Sequence, residues 1–253
     1  MSEALAVITG AARGIGAAVA LKLAEQGFSL VLVDACSAQP GVDYAMPSPA
    51  DLDAVAERCG AEVLCADVAA HDFVAQLGDV LAGRRPTAAV AAAGVIAGAP
   101  AWATDAAVWS TLIDVNLHGT RRLAEATVPG MVEAGGGRFV AIASAAALRA
   151  MPQLAAYSAA KAAVVGYVRA LAADLAGTGV LANVICPGST RGAMLAASAE
   201  LYDLSGQDEF AGQQLVRRLL EPAEVAGAAV WLCGPDAGAL TGAVLPVDGG
   251  LTS

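Results

Sequence analysis

A single-domain α/β fold, built on one doubly wound parallel sheet of seven strands flanked by helices, is predicted by three features of the sequence. Seven short apolar runs alternate with longer helical patterns, a glycine string follows the first run, and no Pro/Gly/Ser-rich linker divides the 253 residues into two cores. The runs are residues 5–9, 30–34, 62–67, 88–93, 139–144, 182–186 and 244–247. Near-continuous apolar runs of this length fit parallel strands covered by helices on both faces.

Taken in order, the first run leads into Thr9-Gly10-Ala11-Ala12-Arg13-Gly14-Ile15-Gly16 and a helix predicted over 14–26, with Ile15, Val19 and Leu23 inward and Gly27 as its stop. Residues 36–48 after the second run are rich in turn formers and read as an inserted loop. The loop ends at Ser48, an N-cap with Pro49 in the first helical position and Asp51 as its capping-box partner, so a helix is expected over 49–59. Another helix begins at Tyr157 and continues through Val165, Val168 and Leu171. The segment 192–220 mixes a helical pattern with Gly206 and acidic residues, and reads either as a substrate lid over 189–220 or as a plain surface excursion. The cofactor half is placed at about 1–140 and the catalytic half at about 141–253.

Composition narrows the function classes. Hydrophobic residues make up 57% and charged residues 15%, yet the longest charge-free stretches are broken by Gly94, Gly98 and Pro100, so no membrane span is predicted. A formal charge of −10 disfavours nucleic acid or an anionic membrane as partner and leaves a small molecule. The N-terminus lacks a signal-peptide pattern, from which cytoplasmic location is expected. The five cysteines are odd in number and show no C-x-x-C spacing, so reduced, buried thiols are expected. His71 and His118 form no ligand spacing with them, and no metal is predicted. Trp102, Trp109 and Trp231 have no basic patch beside them and are expected as core or interface anchors.

Two ends of one reaction site are legible. Gly10, Gly14 and Gly16 join a strand to a helix, where backbone amides can approach a pyrophosphate. Asp34 ends the second strand, where a carboxylate accepts hydrogen bonds from ribose hydroxyls and repels a 2′-phosphate, which favours NAD over NADP. Arg13 pulls the other way, since a guanidinium can pair with a 2′-phosphate, lie over the adenine or face solvent. Asp67 and Val68 suit an adenine edge and ring face. At the other end, Tyr157 and Lys161 lie one turn apart on one helix face, and an ammonium there is expected to lower the phenol pKa. Ser144 at the end of the fifth strand can hydrogen-bond the reacting oxygen beside that phenol.

These residues, with Asn116, Pro187-Gly188 and Asp248-Gly249-Gly250, resemble the short-chain dehydrogenase/reductase family in order and over essentially the whole chain. The resemblance implies the Rossmann version of the fold, NAD as cofactor, and an oxidoreductase that moves hydride between NAD(H) and a secondary alcohol or ketone. It implies a tetrad of Asn116, Ser144, Tyr157 and Lys161, with Ile15 at the phosphate turn, Ala93 and Gly94 beside the cofactor, Lys161 also on the nicotinamide ribose, and Pro187, Gly188 and Thr190 along the carboxamide. The sequence departs from the family pattern at Ala91-Ala92-Ala93-Gly94, which lacks two common asparagines, and at Gly192, where a threonine is frequent. A homotetramer is also implied.

The inserted loop, residues 187–191 and residues 219–222 are similar to an actinobacterial branch described as mycofactocin-dependent and carveol-dehydrogenase-like. That likeness implies tightly held NAD, reoxidised in place by an external redox carrier. Apolar Leu148, Met151, Met194 and Leu195 point to a hydrophobic substrate. The competing expectation is a catalytically inactive NAD-binding sensor or scaffold, because fold alone does not give turnover.

Overall fold

The computed structural model describes residues 4–253. Seven parallel strands form one sheet, β1 (Leu5–Thr9), β2 (Ser29–Asp34), β3 (Glu62–Cys65), β4 (Ala88–Ala91), β5 (Gly137–Ile142), β6 (Val180–Pro187) and β7 (Val244–Val247), in the order β3-β2-β1-β4-β5-β6-β7. The order reverses between β1 and β4. There the loops leaving the carboxyl ends of these strands diverge and open a crevice.

Alternation along each central strand builds two cores. In β1, Leu5 and Val7 join one face with Phe73 and Leu77 of α3 (Phe73–Leu81), Leu112 of α4 (Ala106–Ile113), Leu123 of α5 (Gly119–Glu133) and Val164 and Val168 of α6 (Ala155–Asp174). Ala6 and Ile8 join the other face with Val19 and Leu23 of α1 (Gly14–Glu25), Leu52 of α2 (Pro49–Cys59) and Val225 and Ala229 of α8 (Pro222–Cys233). The Ser48–Asp51 capping box forms as expected, with the Ser48 amide donating to the Asp51 carboxylate at 2.7 Å and the Asp51 amide to the Ser48 hydroxyl at 3.3 Å.

Several expectations are corrected. Strands β3, β4 and β5 end before Asp67, Ala93 and Ser144, which instead sit on the outgoing loops. The edge strand β3 is largely exposed, because among the described residues no strand pairs with its outer side. Ile15 is only partly buried because it turns toward the crevice. Of the cysteines only Cys186 and Cys233 are buried, while Cys36 and Cys59 are half-buried and Cys65 is exposed. None of the three tryptophans is a core residue, and Trp102 is 90% exposed.

Residues 189–220 carry α7 (Ala193–Leu201) and a 3₁₀ turn, Gln207–Gln213. They make a small apolar cluster of their own around Ala199, Phe210 and Leu219, with the Tyr202 and Phe210 rings edge to face at 6.0 Å. Arg191 ties its start to Asp208 at 2.9 Å and Glu221 at 3.2 Å. No helix among the described residues is long and apolar enough to cross a membrane.

Candidate active site

A cleft of about 460 Å³ opens at the strand-order reversal. Its walls include Gly10, Arg13, Gly14, Ile15, Gly16, Asp34, Asp67, Val68, Ala93, Gly94, Ser144, Tyr157, Lys161, Pro187, Gly188 and Thr190. Met151, Met194 and Leu195 line it too, whereas Asn116, Leu148 and Asp248-Gly249-Gly250 do not; Leu148, expected to face the substrate, is instead exposed to solvent on the turn after Ser144.

The outer end has the shape a dinucleotide requires. Gly10 has φ +67°, and a Cβ there would come within 2.7 Å of the Ala93 backbone, so the turn can pass beneath the β4 loop only as glycine. No atom lies where a Cβ of Gly14 would point, which leaves room over the N-terminus of α1 for a phosphate. The Asp34 carboxylate accepts the Ala12 amide at 3.1 Å and the Cys36 amide at 3.3 Å, which fixes it at the wall of the cleft. These features fit a bound NAD.

The inserted loop 36–48 forms a strap across this end. Arg13 donates to the Ala45 carbonyl at 2.7 Å, reaches the Met46 sulfur at 3.7 Å and sits 5.7 Å from the centre of the Tyr44 ring. In this structure the strap therefore engages Arg13, the residue that had argued for a 2′-phosphate. Gln39 donates to Asp67 at 3.0 Å, and Asp67 also accepts the Ala69 amide at 2.8 Å. The Tyr44 hydroxyl accepts the Ile96 amide at 3.3 Å, carrying the strap from the outer end toward the centre of the cleft.

At the inner end, the α4–α5 helix is interrupted by one wide π-helical turn, Asp114–His118. Such turns rotate a side chain out of the regular helical pattern. Asn116 is fully buried, and its amide group donates to the carbonyls of Val95 at 3.0 Å and Leu112 at 2.8 Å while its oxygen accepts the Val95 amide at 3.3 Å. Gly94 lies directly over it, since a Cβ there would be 2.8 Å from Asn116 Oδ1 and 3.2 Å from Lys161 Nζ. Lys161 Nζ donates to the Ile142 carbonyl at 2.9 Å and is 5.9 Å from the Tyr157 ring centre. The Ser144 hydroxyl accepts the Ala146 amide at 3.1 Å and sits beside the Tyr157 phenol.

Burial dominates the electrostatics. It pushes the Tyr157 phenol up to about 12, against which the Ser144 hydroxyl favours the phenolate. It lowers the Lys161 ammonium to about 8. The depression of the phenol pKa expected from Lys161 is corrected, because the net shift is upward and burial is its largest cause.

Four side chains were not singled out from the sequence. Gln39 and Tyr44 lie in a loop whose path no local pattern predicts, although both are polar groups in a conspicuous insertion. Gln214, 1% exposed, accepts the Ser189 amide at 2.9 Å and so pins the Pro187–Thr190 turn. Cys186 is buried behind Ser144 and Lys161. Among the described residues no group of metal-binding side chains forms.

A family model described as enoyl-(acyl carrier protein) reductase, of the short-chain alcohol dehydrogenase type, matches residues 10–252. The chain is a short-chain dehydrogenase/reductase. This dehydrogenase is 34% identical to an uncharacterized NAD-dependent oxidoreductase of Mycobacterium tuberculosis, over 97% of this chain and 94% of that one. It is 33% identical to (−)-trans-carveol dehydrogenase of Rhodococcus erythropolis, over 98% and 97%. The crystal structure of carveol dehydrogenase from Mycobacterium avium in complex with NAD superposes with a TM-score of 0.93 at 27% identity, covering 98% and 97%. With NAD-dependent relatives matching end to end, this short-chain dehydrogenase is an NAD-dependent oxidoreductase of the alcohol dehydrogenase type.

Proposed function

We propose that the enzyme interconverts a hydrophobic secondary alcohol and its ketone. The observation that carries this is the convergence of Ser144, Tyr157 and Lys161 at the inner end of the cleft, under walls supplied by Ile96, Met151, Leu154, Met194, Leu195 and Phe210, none of them charged. A neutral apolar substrate fits such walls, with only its reacting oxygen needing polar partners.

In the oxidation direction Ser144 and Tyr157 hold the alcohol oxygen, and Tyr157 Oη takes its proton while the carbinol C–H leaves as hydride. Bound NAD supplies the hydride acceptor. Gly10, Gly14, Ile15 and Gly16 would hold its pyrophosphate, Asp34 its adenosine ribose, Asp67 and Val68 its adenine, and Ala93 and Gly94 its central part. Lys161 would hold its nicotinamide ribose, and Pro187, Gly188 and Thr190 its carboxamide. Burial holds the phenol high, and the Ser144 hydroxyl, which favours the phenolate, works against it at the point where the charge develops. Asn116, whose Oδ1 reaches the same space over Gly94 as Lys161 Nζ, would complete the tetrad at the lysine end.

The strap supports the further reading that NAD stays bound between turnovers and is reoxidised in place by an external carrier of the mycofactocin kind. The half-exposed Trp109 and Trp231 are natural anchors for the homotetramer expected from the sequence. Cytoplasmic location and a lid role for 189–220 are carried with this reading.

Purification without added nucleotide, followed by mass spectrometry of the denatured extract and absorbance before and after adding apolar secondary alcohols, tests it. Co-purified NAD that becomes NADH in place is expected. Turnover restricted to charged substrates, or bound nucleotide that no alcohol reduces, would refute the proposed substrate class and favour the sensor or scaffold.

A further inference from the structure

Two thiols outside the catalytic machinery meet at the root of the strap. Cys65 is the last residue of β3, where it pairs in register with Asp34, and Cys36 lies two residues past Asp34. The Cys65 sulfur is 3.6 Å from the Ala35 carbonyl, the atom group that leads into Cys36, and the two cysteine side chains interact directly. Cys65 is exposed and Cys36 half-buried, so a small reagent can reach the pair. Cys36 also has φ +49°, a conformation costly for a residue with a side chain, and it marks the bend where the chain leaves β2 to become the strap.

We propose that Cys36 and Cys65 form a reversible disulfide that staples the root of the strap to β3 and slows exchange of NAD. The oxidant is a low-molecular-weight disulfide. The exposed Cys65, as thiolate, attacks one of its sulfurs and expels one thiolate, giving a mixed disulfide on Cys65. Cys36 then attacks the Cys65 sulfur, forming the Cys36–Cys65 bond and expelling the second thiolate. Two cysteine thiols are oxidised, one external disulfide is reduced to two thiols, and the two cysteine protons end on them. Burial and the neighbouring Asp34 push the Cys36 thiol up to about 12, which assigns the first attack to Cys65 and the resolving role to Cys36.

The staple acts on NAD because of what the two strand ends carry. Asp34 and Asp67 flank the pair, and Gln39 of the strap already holds Asp67 at 3.0 Å. A covalent tie at Cys36 adds a second anchor, at the strap's bend. This inference rests on the strap closing over NAD, and its test separates the two ideas.

The enzyme loaded with labelled NAD is treated with 2-hydroxyethyl disulfide or left reduced. Label release is then timed, and the protein is mapped by peptide mass spectrometry without reduction. A Cys36–Cys65 linked peptide is expected, with release slowed about tenfold, equivalent to about 1.4 kcal/mol on the barrier. Dithiothreitol should restore the original rate, and Cys36→Ser and Cys65→Ser should each abolish both effects. A hydroxyethyl adduct on Cys65 with no cross-link overturns the proposal, as does a cross-link that leaves release unchanged. Release from the reduced protein tests the strap by itself, whereas the ratio of oxidised to reduced rates tests the staple.

Discussion

Replacing Gly94 by alanine inserts one methyl group between Asn116 and Lys161. The new Cβ would stand 2.8 Å from Asn116 Oδ1 and 3.2 Å from Lys161 Nζ, both closer than ordinary contact. Asn116 has little freedom to retreat, because three hydrogen bonds to Val95 and Leu112 hold it. Lys161 is held by the Ile142 carbonyl but has a flexible stem, so the lysine gives way. Overpacking of this kind costs about 1–3 kcal/mol. If that cost falls on the position of Lys161 in the transition state, kcat drops by about fivefold to 150-fold at about 1.4 kcal/mol per tenfold. Steady-state kinetics on a secondary alcohol, with NAD affinity and thermal unfolding measured alongside, reads the effect. A loss in kcat larger than the loss in NAD affinity is expected. A folded variant with kcat within about twofold of the parent would refute the argued proximity of Gly94, Asn116 and Lys161.

Tyr157→Phe removes the proton carrier and leaves the ring, so kcat should fall by about 10²–10⁴-fold while NAD still binds; near-normal turnover would exclude Tyr157 as the acid/base. Asp34→Ala should weaken NAD by about 1.5–3 kcal/mol, the worth of charged hydrogen bonds, and let NADP compete; unchanged preference in nucleotide titrations would remove Asp34 from the ribose site. Burial lowers Lys161 in the folded state from 10.5 to about 8, so between these values the unfolded chain binds more protons there and this residue's contribution to stability rises with pH, by about 3 kcal/mol in total. The opposite sign holds for Tyr157, raised from 10.0 to about 12, whose contribution falls as pH rises through that window. Denaturant titrations of the parent and Lys161→Met from pH 8 to pH 10 isolate the lysine, and a parent-minus-variant difference that stays flat would contradict the lowering of its pKa by burial.

The architecture was legible because its determinants are local. Apolar runs of strand length, a glycine turn, a Ser-Pro-x-Asp helix start and the i, i+4 pair Tyr157 and Lys161 each depend on neighbouring residues, and each appears where the sequence placed it. Boundaries were less legible, since Asp67, Ala93 and Ser144 follow strand-like residues and only the divergence of the loops at the strand ends shows that they have left the sheet.

The sequence by itself determined the doubly wound fold, the glycine turn and Asp34 at the outer end of the cleft, and the identity of the residues that gather at its inner end. Only the tertiary structure decided how they meet. Arg13 holds the strap because Ala45 and Tyr44 come back over it from a distant part of the chain. Asn116 and Lys161 reach the same space over Gly94 because a π-helical turn places the one, α6 the other, and Gly94 has no side chain to fill it. Such contacts join residues far apart in sequence, and their geometry follows from the packing of whole elements, which no local pattern encodes.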